Sequence, residues 1–108
     1  MAEPIVSAST RFPPNPLELL QNLIRFDTTN PPGNERECVG YIQALLEQAG
    51  LETTIRSRSP SRPNLIGRVK GTGQAPPLLL HGHVDVVPAD ADGWTHPPFD
   101  AKVIDGYV

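Results

Sequence analysis

The chain has 108 residues, enough for one small domain with a core of its own and too few for a two-domain enzyme. It is 38% hydrophobic and 19% charged, as a soluble globular protein is, with 9 Lys and Arg against 12 Asp and Glu. The net charge of −3 gives no electrostatic case for nucleic acid or an anionic membrane as a partner.

Residues 1 to 14 show no sustained period and end in Pro13-Pro14, the pattern of a mobile tail. They hold neither the basic start nor the apolar run of a secretory signal. No later stretch approaches the ~18 consecutive apolar residues of a membrane span, so the default address is the cytoplasm. A helix is predicted from Asn15 to about Phe26. Asn15 can cap it, Pro16 suits its first position, and Glu18 stands where a carboxylate can reach back to free N–H groups. Leu17, Leu20, Leu23 and Ile24 form its apolar stripe.

Asp27 to Gly33 (DTTNPPG) reads as a loop, because Asn30 precedes a proline and Pro31-Pro32 cannot continue a helix. A second helix follows. Asn34 and Glu37 repeat the cap spacing, Cys38, Tyr41, Ile42, Leu45 and Ala49 make its buried face, and Gly50 ends it in the left-handed conformation. Cys38 is the sole cysteine, so no intrachain disulfide can form, and its place on the apolar side reads as core packing.

From Leu51 the pattern has period two: Leu51, Thr53 and Ile55 alternate with Glu52, Thr54 and Arg56, as in a half-buried strand. After a polar turn, Asn64 to Lys70 reads as a second strand. Pro77 to about Val84 reads as a third, whose consecutive Leu78, Leu79 and Leu80 predict a central strand covered on both faces. Ala101 to Ile104, Asp105-Gly106 and Tyr107-Val108 look like a strand, a hairpin turn and the start of a returning strand. Two helices followed by strands, with helices needed on both sheet faces, make the fold class α/β with a mixed sheet. A returning strand of two residues is an odd place for a domain to end, so the sequence reads as truncated.

The chemistry concentrates in Leu78 to Val87 (LLLHGHVDVV). On an extended strand His81, His83 and Asp85 project to one side. An interior strand delivers such residues to its C-terminal edge, where ligand crevices form in α/β sheets. Imidazole is a preferred zinc ligand, commonly oriented by a carboxylate on its other ring nitrogen, and His83 with Asp85 behind it meets that need. On the tripeptide alone, a polar strand end facing solvent is the competing reading.

The runs LLLHGHVDVVP and GWTHPPFDAKVIDGYV resemble the co-catalytic zinc metallopeptidase family of acetylornithine deacetylase, succinyl-diaminopimelate desuccinylase, aminoacylase-1 and carboxypeptidase G. The matching features are Gly82-His83-x-Asp85-x-Val87-Pro88, Gly93-Trp94, Pro97-Pro98-Phe99 and Asp105-Gly106. Upstream, Phe26 to Gly33 looks like the loop after the family's first helix and Asn64-Leu65 like its next strand, so the likeness runs from about residue 16 to the end.

This resemblance implies that His83 binds one of two zinc ions and that Asp85 orients its imidazole. Cobalt or manganese can occupy similar sites. His81 and His96 fall outside the motif, and Trp94, Pro97, Pro98 and Phe99 are expected to pack the loop under the site. It further implies hydrolysis of amide bonds in small N-acyl amino acids or peptides, and a homodimeric full-length form. The family's bridging aspartate, glutamate pair, further carboxylate and distant histidine are absent. Residues 15–108 are therefore expected to be the N-terminal portion of a catalytic domain, inactive by itself. Two other readings stay open. An α/β-hydrolase would use His81-Gly82 at its oxyanion hole, although no Gly-x-Ser-x-Gly elbow is present. A remnant without catalysis would retain only the fold.

Overall fold

The computed structural model describes residues 12–108, so the expected tail lies outside the described residues for its first eleven positions. Helix α1 spans Pro16–Ile24 and α2 Arg36–Gln48; strand β1 spans Glu52–Ser57 and β2 Pro63–Arg68, with a 3-10 turn at Ala91–Gly93. Two helices followed by strands place the chain in the α/β class.

α1 starts as its sequence predicts: Asn15 Oδ1 accepts from the Leu17 N–H at 2.8 Å, and Pro16 holds the first position. Its apolar stripe is only partly covered, since Leu17 and Leu20 are 42% and 46% exposed. Leu23, Ile24 and Phe26 turn inward, and Asn22 Nδ2 donates to the Tyr41 hydroxyl at 3.1 Å while the Phe26 and Tyr41 rings meet at 5.6 Å. These contacts dock α1 on α2.

The start of α2 departs from expectation. Its cap residue is Glu35, with no side-chain cap bond. The Glu35 carboxylate is engaged with Arg62 instead, at 2.9 Å and 3.2 Å. Cys38 and Val39 are the buried residues of the helix, Tyr41, Ile42 and Leu45 are half-buried, and Gly50 closes it at φ 87° as predicted.

β1 and β2 pair antiparallel, with Thr53 opposite Gly67 and Ile55 opposite Leu65. α2 lies against this ribbon. A Cβ on Gly67 would stand 3.1 Å from Leu46 Cδ1, so the missing side chain is what lets the helix approach. Gln43, Glu47 and Thr53 add a hydrogen-bonded seam between α2 and β1.

The third predicted strand differs most. Residues 77–84 form no strand and join no sheet among the described residues, and Leu78, Leu79 and Leu80 are 82%, 86% and 83% exposed. The triplet carries the hydrophobicity of an interior strand without the neighbours that make one, so the mixed sheet reduces here to an antiparallel pair. The final hairpin is present as a turn: Ile104 and Tyr107 exchange both backbone bonds across Asp105 and Gly106, whose φ values of 51° and 83° are what a two-residue loop of this hand requires.

Candidate functional site

Residues 84–86 are held by the DTTNPPG loop. Thr28, itself buried, donates its hydroxyl to the Val84 carbonyl at 2.6 Å. The Val86 N–H donates to the Thr28 carbonyl at 3.2 Å and the Asn30 N–H to the Val86 carbonyl at 2.8 Å, forming one parallel bridge. The loop is braced in turn by Asp27, whose carboxylate accepts from the Thr29 N–H at 3.1 Å and hydroxyl at 2.6 Å. Those two bonds, the hydroxyl's first, hold the Asp27 carboxyl below its ordinary value.

On this stitched segment His83 and Asp85 stand together. His83 Nδ1 is 2.8 Å from Asp85 Oδ1 and 3.1 Å from the Asp85 carbonyl oxygen. Both neighbours are acceptors, so Nδ1 is the donating nitrogen, and in the neutral ring Nε2 keeps its lone pair. The imidazole is 79% exposed and the carboxylate 30%. A ring presented in this tautomer, with its far nitrogen uncommitted, is the arrangement a metal-binding histidine adopts.

Three residues that sequence reading did not assign to the site complete it. Asn30 Nδ2 donates to Asp85 Oδ2 at 3.0 Å, and Arg62 Nη2 lies 3.4 Å from the same oxygen. Arg62 is held by the buried carboxylate of Glu35 through Nε and Nη2. The Asn30 bond, then the His83 bond, hold the Asp85 carboxyl below its ordinary range against the opposing effect of burial, with the Arg62 charge adding a lesser pull. Arg62 is shifted upward, chiefly by its hydrogen bond to Glu35. Asn30 lies in a loop already singled out; Arg62 and Glu35 carry no local signal, because they meet Asp85 only through the fold.

His81 is exposed and His96 likewise. Of the residues expected to pack beneath the site, Pro97 is exposed against expectation, as is Trp94 at 57%, whereas Pro98 and Phe99 are half-buried. Trp94, Pro98 and Phe99 line, with Leu23, Phe26 and His83, a cavity of about 620 Å³ whose wall is mainly apolar. Cys38 reaches this wall too, and burial followed by the nearby Glu35 charge pushes its thiol up, away from reactivity.

Nowhere among the described residues do three or more His, Cys, Asp or Glu side chains converge. His83 fits a metal ligand by its tautomer and free nitrogen, yet it is one donor where catalytic zinc takes about three from protein. His83 alone among the described residues therefore does not make a metal centre.

No family model and no solved structure matches the chain. Curated proteins do. A probable succinyl-diaminopimelate desuccinylase of Staphylococcus epidermidis is 38% identical over 91 residues, which is 83% of this chain and 22% of that protein. The succinyl-diaminopimelate desuccinylase of Methylorubrum extorquens is 35% identical over 99 residues, 87% of this chain and 25% of its own length. The N-formyl-4-amino-5-aminomethyl-2-methylpyrimidine deformylase of Halalkalibacterium halodurans is 33% identical over 96 residues, 85% of this chain and 22% of that protein.

The chain belongs to the co-catalytic zinc metallopeptidase and amidohydrolase family. Against these family members it spans between 22% and 25% of their length. These relatives are hydrolases named for removal of an acyl group, and membership in their family weighs against the α/β-hydrolase reading of His81-Gly82. No helix among the described residues is long and apolar enough to cross a membrane.

Proposed function

We propose that residues 15–108 form the N-terminal portion of the catalytic domain of a metal-dependent amide hydrolase, in which His83 is one zinc ligand and Asp85 its orienting carboxylate. The observation that carries this is the 2.8 Å contact of His83 Nδ1 with Asp85 Oδ1, which leaves Nε2 as the free donor. Zinc at such a centre supplies Lewis acidity toward an amide carbonyl and toward water, and cobalt or manganese can serve in its place.

The chain's own residues contribute orientation. Asp85 fixes the proton on Nδ1 and raises the basicity of Nε2, and His83 stands at the edge of a mainly apolar cavity. The substrate class is a small N-acylated amine, an N-acyl amino acid or short peptide, in line with the desuccinylase and deformylase names of the relatives. We place the protein in the cytoplasm as a homodimer when its remaining family domains are joined to it, without nucleic acid or membrane as partner.

The 108-residue chain alone is inactive in this reading, because one imidazole cannot hold catalytic zinc. Purified chain incubated with zinc and N-succinyl or N-formyl substrates should show no turnover; hydrolysis abolished by a chelator would overturn that part. In the protein carrying the full ligand set, H83A should remove chelator-sensitive hydrolysis and one equivalent of tightly held zinc. Retention of both would overturn His83 as a ligand.

A further inference from the structure

His83 has little packing to hold its ring, being 79% exposed, so its plane and tautomer depend on Asp85. An aspartate carboxylate, however, rotates about a broad, two-fold torsion and can offer either oxygen. What stops that rotation is the load on Oδ2: Asn30 Nδ2 at 3.0 Å and Arg62 Nη2 at 3.4 Å both converge on it, leaving Oδ1 for His83.

Each of those donors is anchored independently. Asn30 is fixed by its own N–H bond to the Val86 carbonyl at 2.8 Å, one residue past the carboxylate it serves. Arg62 is fixed by the forked contact with Glu35, whose side chain is 8% exposed and whose N–H is bonded to the Ser61 carbonyl at 3.0 Å. Two separate segments, the loop before α2 and the turn before β2, therefore meet on a single oxygen.

We propose that Asn30 and Arg62 are positioning residues which, by occupying Asp85 Oδ2, lock the His83 imidazole in its Nδ1-protonated form with Nε2 available. Asn30 carries the larger share, since its contact is the shorter of the two, 3.0 Å against 3.4 Å. Arg62 acts at the limit of hydrogen-bond reach and contributes mainly its charge. The inference rests on the reading of Asp85 as the orienting group of His83, and it predicts that residues distant in sequence govern the tautomer of a ring they do not touch.

The test is nitrogen-15 NMR of His83 in the full 108-residue chain at a pH where the imidazole is neutral, comparing wild type with N30A, R62K and N30A/R62K, and with D85A as reference. N30A retains the backbone bonds of residue 30, and R62K keeps a cation opposite Glu35 while losing the fork that spans both carboxylates, so both variants keep the fold. Amide spectra verify this. Wild type should show a protonated Nδ1 and an unprotonated Nε2. That signature should weaken in R62K, more in N30A, and in the double variant approach that of D85A. A wild-type signature lost in D85A but kept in N30A, R62K and the double variant would overturn the positioning role while sparing His83 and Asp85. A wild-type ring protonated at Nε2 would overturn the underlying reading of His83 as well.

Discussion

A Cβ placed on Gly33 would stand 2.6 Å from Arg62 Nε and 2.9 Å from its Cζ, so the guanidinium runs across the one residue of the loop that has no side chain to obstruct it. Gly33 also sits at φ 82°, in the left-handed region. G33A should therefore destabilise the chain by about 1–2 kcal/mol from backbone strain alone. Urea unfolding followed by circular dichroism should show a lower midpoint with an unchanged slope. A midpoint equal to wild type would contradict both the strain and the crossing.

In the protein that carries the full ligand set, D85N should weaken zinc binding by about 10- to 100-fold, the usual cost of losing a carboxylate behind a ligating imidazole. Competition against a chelating dye measures it. The fold should be unaffected, and equal zinc affinity in D85N would remove Asp85 from the centre.

Asp27 sets a pH dependence. Its carboxyl is held below the ordinary value of 3.8 by the Thr29 bonds, so it stabilises the loop fully above that value, and the contribution fades as pH falls through the lower folded value. Wild type should be more stable than D27N at neutral pH by a constant margin that closes only below the ordinary carboxylate value. A margin that narrows between neutral pH and pH 5 would disagree with this assignment.

Cys38 is 3% exposed, and its thiol is shifted upward by burial and by Glu35. Native chain should react with a thiol reagent far more slowly than chain in urea, at a rate set by opening of the structure. Labelling as fast as that of a free thiol in native buffer would place Cys38 outside the core.

Leu79 separates two expectations. If Leu78–Leu80 were an interior strand of this chain, L79Q would cost several kcal/mol, on the scale of about 2–5 for a deleted core leucine. At 86% exposure the change should instead fall within about 0.5 kcal/mol of wild type. Urea denaturation of the 108-residue variant decides between them.

The elements legible in the sequence are those whose determinants are local. Asn15 and Pro16 announce α1, Gly50 ends α2, and Asp105-Gly106 makes its turn, because cap and turn chemistry act within a few residues. The contact between His83 and Asp85 was legible for the same reason, since it joins residues only two apart. Asn34 failed as the cap of α2 because Glu35 follows it, and the partner that commits Glu35, Arg62, is 27 residues away. Leu78 to Leu80 failed for a related reason. Hydrophobicity states that a strand can be covered, whereas covering requires neighbours that these 97 described residues do not provide. Asn30 reaches Asp85 across 55 residues, a relationship no local pattern encodes.

That span also orders events in time. The helices and the β1–β2 hairpin form from short-range contacts, whereas closing Thr28 and Asn30 onto Val84 and Val86 must first overcome the entropy of a long intervening loop. The load on Asp85 Oδ2 thus waits on closure of that long loop, whereas the grip of Asp85 on the imidazole two residues away needs no such closure.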